Sequence, residues 1–584
     1  MIICETENGI GLSWRENNNV IYNEISHNEF RPYFFVKKKN NLPLTAHIKD
    51  NLGKLQVNLT YEEGDYHNLQ GQELVKVMWR PNNPKYARKL QATFGETYEA
   101  DVRYHYRYAV DEVKEMPEYE MRKWFWDMEW VSDDHDYEGA ITCIVVYDNF
   151  AVKESSKPNW LFSDIDFDFP NKGDYTTYVW FPHYQATDEE RENLPLFTYP
   201  SRNEGVRIFE SEKEMLNAFL EDVEEMNPDM LISWFGWKFD LPKLIERMIF
   251  NGLDARRLSP FNEVSGVYWK NKPKMSKKVQ NYSPIYQPIK GRICLALEHV
   301  FERQWNDAQR GTLPSLALDY VAETLLGQKK LVSEKFPDKN EFFAKGWLED
   351  TVTYLEYAQK DVELLVKIDE ENFTTDAVLS LQRLLKAPFD ACFYASNMAS
   401  IYFMRNASWK APTGSKEERV DYEGAMVYDP LSENTNGLHL GVAAFDFAGL
   451  YPSMMIARNI SWETKSAEPT EFAVNILTPK DFSEVTKTHM LYYKTDELGL
   501  LPRAVLELKE LRNEYKRNMK NASDKSEYNK WNNNQLAVKR LMASFYGIIA
   551  YQGFGWADVD LAASITASAR EAIREAAFIV RGLE

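Results

Sequence analysis

The stretch GVAAFDFAGLYPSMMI, residues 441–456, constrains the fold more than any other part of the chain. An apolar run leads to Asp446, and Leu450, Tyr451, Pro452 and Ser453 then open a helix. Proline is at home in a first helical turn, where its missing N–H has no intrahelical partner to lose. The pattern predicts a strand that delivers one carboxylate to a turn, with the N–H groups of a helix start beside it. Such an arrangement suits a metal ion carrying a polyphosphate.

A chain of 584 residues is too long for one core, so three or more domains are expected. Hydrophobic residues at 44% and charged residues at 27% mark it as globular rather than disordered. The net charge of −20 argues against a protein that coats nucleic acid non-specifically. An acidic body can still bind DNA if its Lys and Arg are confined to a groove. Cys4, Cys143, Cys294 and Cys392 are far apart in sequence, which excludes zinc knuckles and suits a reducing cytosol. The N-terminus reads as neither a signal nor a transit peptide. No apolar run approaches the ~20 residues of a membrane span, so a cytoplasmic location without membrane contact is expected.

Along the chain, residues 1–110 alternate apolar and polar residues in short runs separated by turn clusters, a β-rich N-terminal domain. Residues 111–370 alternate strands and helices and read as an α/β domain. Within it, Ser211 and Glu214 form a capping box, Pro228 ends a helix and Gly252 ends another. The Lys-rich stretch 262–290 reads as a loop or exposed hairpin. Residues 371–475 hold the opening strand–turn–helix, 476–555 a helical hairpin, and 556–584 a final helix.

Asp127 and Glu129 lie two apart on the aromatic strand RKWFWDMEWV, so they share a face. Two like charges there repel, and a divalent cation relieves that. Asp240 follows the strand MLISWF and starts a helix, where Asp is also a common cap. Tyr357 and Asp361 are four apart and share one helical face. D-x-E, F-D and Y-x-x-x-D, in that order in one α/β domain, resemble the DnaQ-like 3′–5′ exonucleases, the proofreading domains of family B DNA polymerases. The resemblance implies an RNase H-like fold in which Asp127, Glu129, Asp240 and Asp361 hold two Mg2+ or Mn2+ ions. It implies that Tyr357 orients the attacking water. The family often has Asn where this chain has Phe235, which affects contacts to the single-stranded 3′ end.

The tract FDFAGLYPSMMIARNISWET resembles motif A of the family B polymerases. This implies that Asp446 ligates both polymerase metals, again two ions. The backbone of Phe447, Ala448, Gly449 and Leu450 would cradle the triphosphate. Tyr451 would pack under the sugar and exclude a 2′-hydroxyl, making dNTPs the substrate. Tyr422 and Gly424, in YEGAMVYDP, look like the tract that monitors the DNA template between synthesis and editing. KRLMASFYGI resembles motif B: Arg512, Lys516 and Lys539 would converge on the triphosphate, and Tyr546 and Gly547 would form the floor under the nascent base pair. Ala543 stands where the family usually has Asn.

The family's third motif, Y-G-D-T-D-S, supplies a second palm Asp, and it does not occur in this sequence. Asp558-Val559-Asp560 reads instead as a helix start. The expected fold class is therefore multidomain α/β and α+β: a β-rich N-terminal domain, an exonuclease domain, and an incomplete palm with helical-hairpin fingers. The resemblance implies the large part of a split or truncated polymerase, with a second chain carrying the third motif and thumb. Primer–template DNA and dNTPs are its expected partners. A sliding clamp would engage through the second chain. The compact form suggests a bacteriophage enzyme working in the host cytoplasm. The alternative is a stand-alone 3′–5′ exonuclease whose polymerase half is a non-catalytic DNA-binding remnant.

Overall fold

The computed structural model describes residues 1–581 except 17–18, 51–52, 132–136, 138, 151–173, 182–205, 266–286, 308–311, 415–421, 427–437, 439, 479–486 and 552. Most of the Lys-rich stretch (266–286) and residues 427–430 of YEGAMVYDP thus lie outside the described residues.

In chain order, β1 (Ile2–Glu5), β2 (Gly9–Glu16) and β3 (Asn19–Ser26) form one antiparallel sheet. A second holds β4 (Tyr33–Lys37), β5 (Thr45–Asp50), β6 (Gly53–Glu62) and β7 (Leu74–Arg80), and helix α1 (Tyr104–Glu112) follows. Next come β8 (Lys123–Trp130), β9 (Ile141–Asp148), β10 (Asp174–Trp180), β11 (Val206–Phe209), α2 (Glu212–Met226), β12 (Met230–Ser233), α3 (Asp240–Phe250) and β13 (Ile293–Ala296). Helices α4 (Leu297–Asp307), α5 (Leu318–Leu326), α6 (Thr351–Asn372) and α7 (Ala395–Asn406) lead to α8 (Leu450–Ala457). Strands β14 (Lys465–Ser466), β15 (Phe472–Thr478) and β16 (Lys487–Tyr493) precede α9 (Leu500–Lys520), α10 (Lys525–Ile549) and α11 (Val559–Arg581). Two compact units result. One comprises 1–26, 115–379 and 388–390, and the other 27–114, 380–387 and 391–584. Strands β1–β3 belong to the first unit and β4–β7 to the second.

The first unit is built on a six-stranded sheet ordered β11-β10-β9-β8-β12-β13. Strand β8 lies inside it, antiparallel to β9 and parallel to β12. Its alternation sends Trp124, Trp126 and Met128 to one face, where both Trp rings meet Phe219 of α2 at 5.9 and 6.4 Å. Asp127 and Glu129 therefore face the other way. Strand β9 is buried at every position, as a strand covered on both faces must be. Helix α2 starts on Ser211, whose Oγ accepts the Glu214 N–H at 3.3 Å, and ends on left-handed Asn227 before Pro228. Trp347 is fully buried; its Nε1 donates to the Trp180 carbonyl at 2.9 Å and its ring meets Trp180 at 4.8 Å. The small β1–β3 sheet is anchored by the buried Arg15–Asp229 ion pair, whose carboxylate also accepts the Arg122 N–H at 2.8 Å.

In the second unit, β4-β7-β6-β5 pack Phe34, Val57, Val77 and Trp79 into one apolar core. A second aromatic cluster centres on Phe403 of α7, with Phe545 of α10 at 4.8 Å, Trp462 at 5.2 Å and Trp556 at 5.4 Å. Helices α9 and α10 form the expected hairpin, with Tyr515 on Trp531 at 5.6 Å. Asp524 caps α10 by accepting the Glu527 N–H at 2.8 Å, and Glu527 accepts the Ser523 N–H at 2.8 Å.

The strand expected to carry Asp446 does not form. No described strand pairs with 441–447, and Leu438, Leu440, Val442 and Phe445 are 92, 89, 74 and 89% exposed. A strand needs a neighbour for its N–H and C=O groups, and apolar alternation cannot supply one. The turn and helix do form: Gly449 takes φ +72° ahead of α8, and the Ser453 N–H donates to the Gly449 carbonyl at 2.9 Å.

Candidate active sites

Strand β8 and helix α6 bring the first carboxylates together. Single oxygens of Asp127, Glu129 and Asp361 lie within 4.8 Å of one another. Asp240 opens α3 straight after β12, the parallel neighbour of β8. Its charge is the strongest of the carboxylate influences on Asp127, ahead of Glu129 and Asp361. Three of the four carboxylates expected from the sequence therefore share one cluster, and the fourth, Asp240, is near enough to raise Asp127 by repulsion.

Their electrostatics show the cost of that gathering. Burial, followed by Asp240, Glu129 and Asp361, pushes the Asp127 carboxyl well above the ordinary range. Burial and repulsion from Asp361 push Glu129 up to about 8. Burial pushes Asp240 up to about 6, against the neighbouring Ser233 hydroxyl and Phe235 backbone, which act the other way. Asp361 is raised by burial, with Lys330 opposing. Asp240 Oδ2 and Asp361 Oδ1 are buried without a hydrogen-bond partner among the described residues. Buried oxygens of this kind are costly unless something binds them. Hard oxygen donors in a tight, mutually repelling set fit a divalent cation such as Mg2+ or Mn2+.

Lys330 and Tyr357 complete the site. The Lys330 ammonium reaches Asp361 Oδ2 at 2.5 Å and the Tyr357 hydroxyl at 3.1 Å. Burial acts to lower the Lys330 pKa, but Asp361, Tyr357 and Asp127 outweigh it and hold the group well above its ordinary value. An ammonium only donates, so the Tyr357 oxygen accepts and its own O–H remains a donor. Nothing in the residue pattern singles out Lys330. It stands in QKK beside Lys329, whose ammonium pairs with exposed Glu323, and no spacing distinguishes the two. Phe235, the departure from the family pattern, is half-buried and meets Phe239 edge to face at 5.9 Å, while Phe239 is 55% exposed.

The second constellation is only partly assembled. Tyr451 and Tyr546 pack with ring centroids 4.3 Å apart, and the Tyr422 and Tyr546 hydroxyls are 3.5 Å apart. Lys516 is lowered first by Arg512, then by burial, Lys520 and Lys539, so it feels the charge of both other expected cations. Arg512 Nε donates to Gln535 Oε1 of α10 at 3.1 Å. Lys539, Ala543 and Gly547 lie on the exposed face of α10, with Tyr546 half-buried beside them. Asp446, Phe447, Ala448, Gly449 and Gly424 are exposed, and Leu450 is half-buried. Asp558 and Asp560 both pair with Lys465, at 2.8 and 3.0 Å, and Asp558 caps the following turn. Their structural role agrees with their position at a helix start. Among the described residues no helix is long and apolar enough to cross a membrane.

Comparison with known proteins gives the same two halves. Residues 95–321 match the exonuclease domain of DNA polymerase family B, and residues 392–583 match DNA polymerase family B itself. The DNA polymerase of Pyrococcus glycovorans is 29% identical over 394 residues, covering 65% of this chain and 45% of the relative. DNA polymerase 1 of Pyrococcus abyssi is 28% identical over 383 residues, covering 63% of this chain and 44% of the relative. The chain thus spans less than half the length of these relatives. The structure of the family B DNA polymerase from the hyperthermophilic archaeon Pyrobaculum calidifontis superposes with a TM-score of 0.64 at 18% identity, covering 100% of this chain and 71% of that one. With the two matches lying in the family's order along one chain, this protein belongs to DNA polymerase family B and carries that family's exonuclease domain.

Proposed function

We propose that the chain excises nucleotides from the 3′ end of DNA at Asp127, Glu129, Asp240 and Asp361, and contributes the larger part of a dNTP-adding site at Asp446. The carboxylate set within 4.8 Å, with buried oxygens lacking partners, carries the first half of this reading. Two divalent ions, Mg2+ or Mn2+, would supply an activated water and neutralise charge on the phosphodiester. The chain's own residues set up the rest. Asp127, Glu129, Asp240 and Asp361 are the ligands, and their mutual repulsion is relieved when the cations bind. Tyr357 turns its O–H toward the site to orient the water, and Lys330 holds Tyr357 and Asp361 in place. The water oxygen bonds to phosphorus and the P–O3′ bond breaks. The departing 3′ oxygen takes up a proton, and a deoxynucleoside 5′-monophosphate leaves.

For synthesis, Asp446 would ligate both polymerase ions, and Phe447 to Leu450 would cradle the triphosphate through their backbone. Arg512, Lys516 and Lys539 would neutralise the leaving pyrophosphate. Tyr451 would exclude ribonucleotides, and Tyr546 with Gly547 would support the nascent pair. Tyr422 and Gly424 would meet the template. The other palm Asp would come from the family's third motif, which does not occur in residues 1–584. The strand of that motif would cover 440–447, where Leu440, Val442, Phe445 and Phe447 face water on a backbone that pairs with no described strand. Primer–template DNA would be the shared substrate.

The test is 3′ excision from a labelled single-stranded oligonucleotide by the purified chain. Degradation should require Mg2+ or Mn2+ and disappear in D127A/E129A. Divalent-dependent excision by that double variant would end the proposal. For the second half, primer extension should require the third motif in addition to residues 1–584; extension by residues 1–584 alone would refute the need for a second palm Asp.

A further inference from the structure

We infer that Arg570 and Thr566 of α11 are positioning residues for the nucleotide site, acting through the backbone of Glu423 and Gly424. This rests on the reading of Tyr451 as the residue under the sugar and Tyr546 as part of the floor under the nascent pair. Arg570 is 5% exposed, and its Nη1 donates to the Glu423 carbonyl at 2.7 Å and to the Gly424 carbonyl at 2.6 Å. Thr566 is fully buried, and its Oγ1 lies 2.8 Å from the same Glu423 carbonyl, the shortest of its three carbonyl contacts. Residues 422–426 lie in no helix or strand, so no ladder fixes them. The bonds from α11 do so instead. The next link is Tyr422, whose hydroxyl is 3.5 Å from that of Tyr546, and the Tyr546 ring lies 4.3 Å from Tyr451. A continuous path therefore runs from α11 through three backbone bonds to the tyrosine pair.

Charge-assisted bonds from a guanidinium are among the stronger ones, and the two in-plane N–H groups of Nη1 point in fixed directions, one for each carbonyl, whereas an ammonium on a flexible stem has no such fixed plane. The Arg570–Glu423 carboxylate pair at 3.0 Å is a lesser part, because the Glu423 side chain is 42% exposed. Losing Arg570 would free the 422–424 backbone and strand two carbonyls. Losing the Glu423 carboxylate would leave the backbone bonds intact. This contrast separates a positioning role from surface charge.

The experiment titrates dATP with Ca2+, which binds without turnover, onto the protein with primer–template. Arg570→Met should weaken dATP binding by about 10-fold, the loss of one to two charge-assisted bonds. R570K should recover part of that, T566V should cost about 2- to 3-fold, and E423Q should stay within about 2-fold of the parent. Single-strand 3′ excision at the Asp127 site should stay within about 2-fold in all four, which separates positioning from general damage. Unchanged dATP binding in R570M and T566V would overturn the inference, as would parallel loss of excision and binding in both. If the parent itself binds no dATP, the nucleotide-site reading fails instead, a distinct result.

Discussion

Chelating the divalent ions should leave an exonuclease unit that is more stable near pH 6 than near pH 8, apart from one opposing group. The sign follows from Glu129, whose folded value is about 8 against an ordinary value of ~4.3. A folded value raised above the unfolded one means the folded state keeps a proton that the unfolded chain has released. Its stabilisation is full at low pH and is lost as pH rises through about 8. Between pH 6 and 8 that loss is ~2 kcal/mol. Asp240, at about 6, adds a few tenths of a kcal/mol in the same direction. Asp127 and Asp361 are raised too and act alike. His299 opposes them: burial lowers it to about 4, so the unfolded chain gains a proton below ~6.5 and removes ~1 kcal/mol at pH 6. The raw pH curve is therefore shallow. The difference between chelator and saturating Mn2+ isolates the carboxylates, because the bound cation keeps them ionised at both pH values while His299 titrates in both. The thermal increment conferred by Mn2+ should be ~2 kcal/mol larger at pH 8 than at pH 6, or ~4–8 °C for a unit of this size. Scanning calorimetry at fixed free Mn2+ would read it, and E129Q should flatten the difference. An increment equal at both pH values, or larger at pH 6, would refute the electrostatic account.

The double variant D127A/E129A should lower single-strand excision by at least ~1000-fold, and should raise the chelated protein's melting temperature by removing repelling charges; a lower melting temperature in chelator would count against the repulsion. K330M should slow excision by ~10- to 100-fold, since Asp361 and Tyr357 lose their shared donor, a change that steady-state assays over pH 6–9 would show. D446N should abolish primer extension by the assembled polymerase while leaving excision unaltered, measured on one labelled primer. Trp347→Ala should destabilise the first unit by about 3–5 kcal/mol, because it empties a fully buried site and orphans the Trp180 carbonyl, a loss visible in urea midpoints.

What the sequence made legible depended on whether each feature's partners were local. Asp127 and Glu129 were readable because strand period alone places both on one face, and Tyr357 with Asp361 because helix period does the same. The cap at Ser211 was equally local. Lys330 was not readable. It bonds Asp361 from 31 residues away, and its neighbour Lys329 has the same side chain and an ordinary surface pair. Residues 441–447 failed for the opposite reason. Their apolar pattern is that of a strand, but a strand is a relation between two segments, and among the described residues the second is absent. The turn at Gly449 and helix α8, which need only their own backbone, formed as the pattern predicts. Thus a half-assembled palm looks complete from sequence up to the residue where pairing becomes non-local. The same logic explains why Asp446, held on an unpaired segment, is exposed while the exonuclease carboxylates are drawn together and strongly shifted: theirs is the site whose strands are all paired. The contrast between the two sites is one of sheet completion rather than of ligand chemistry. Excision should therefore be measurable in this chain by itself.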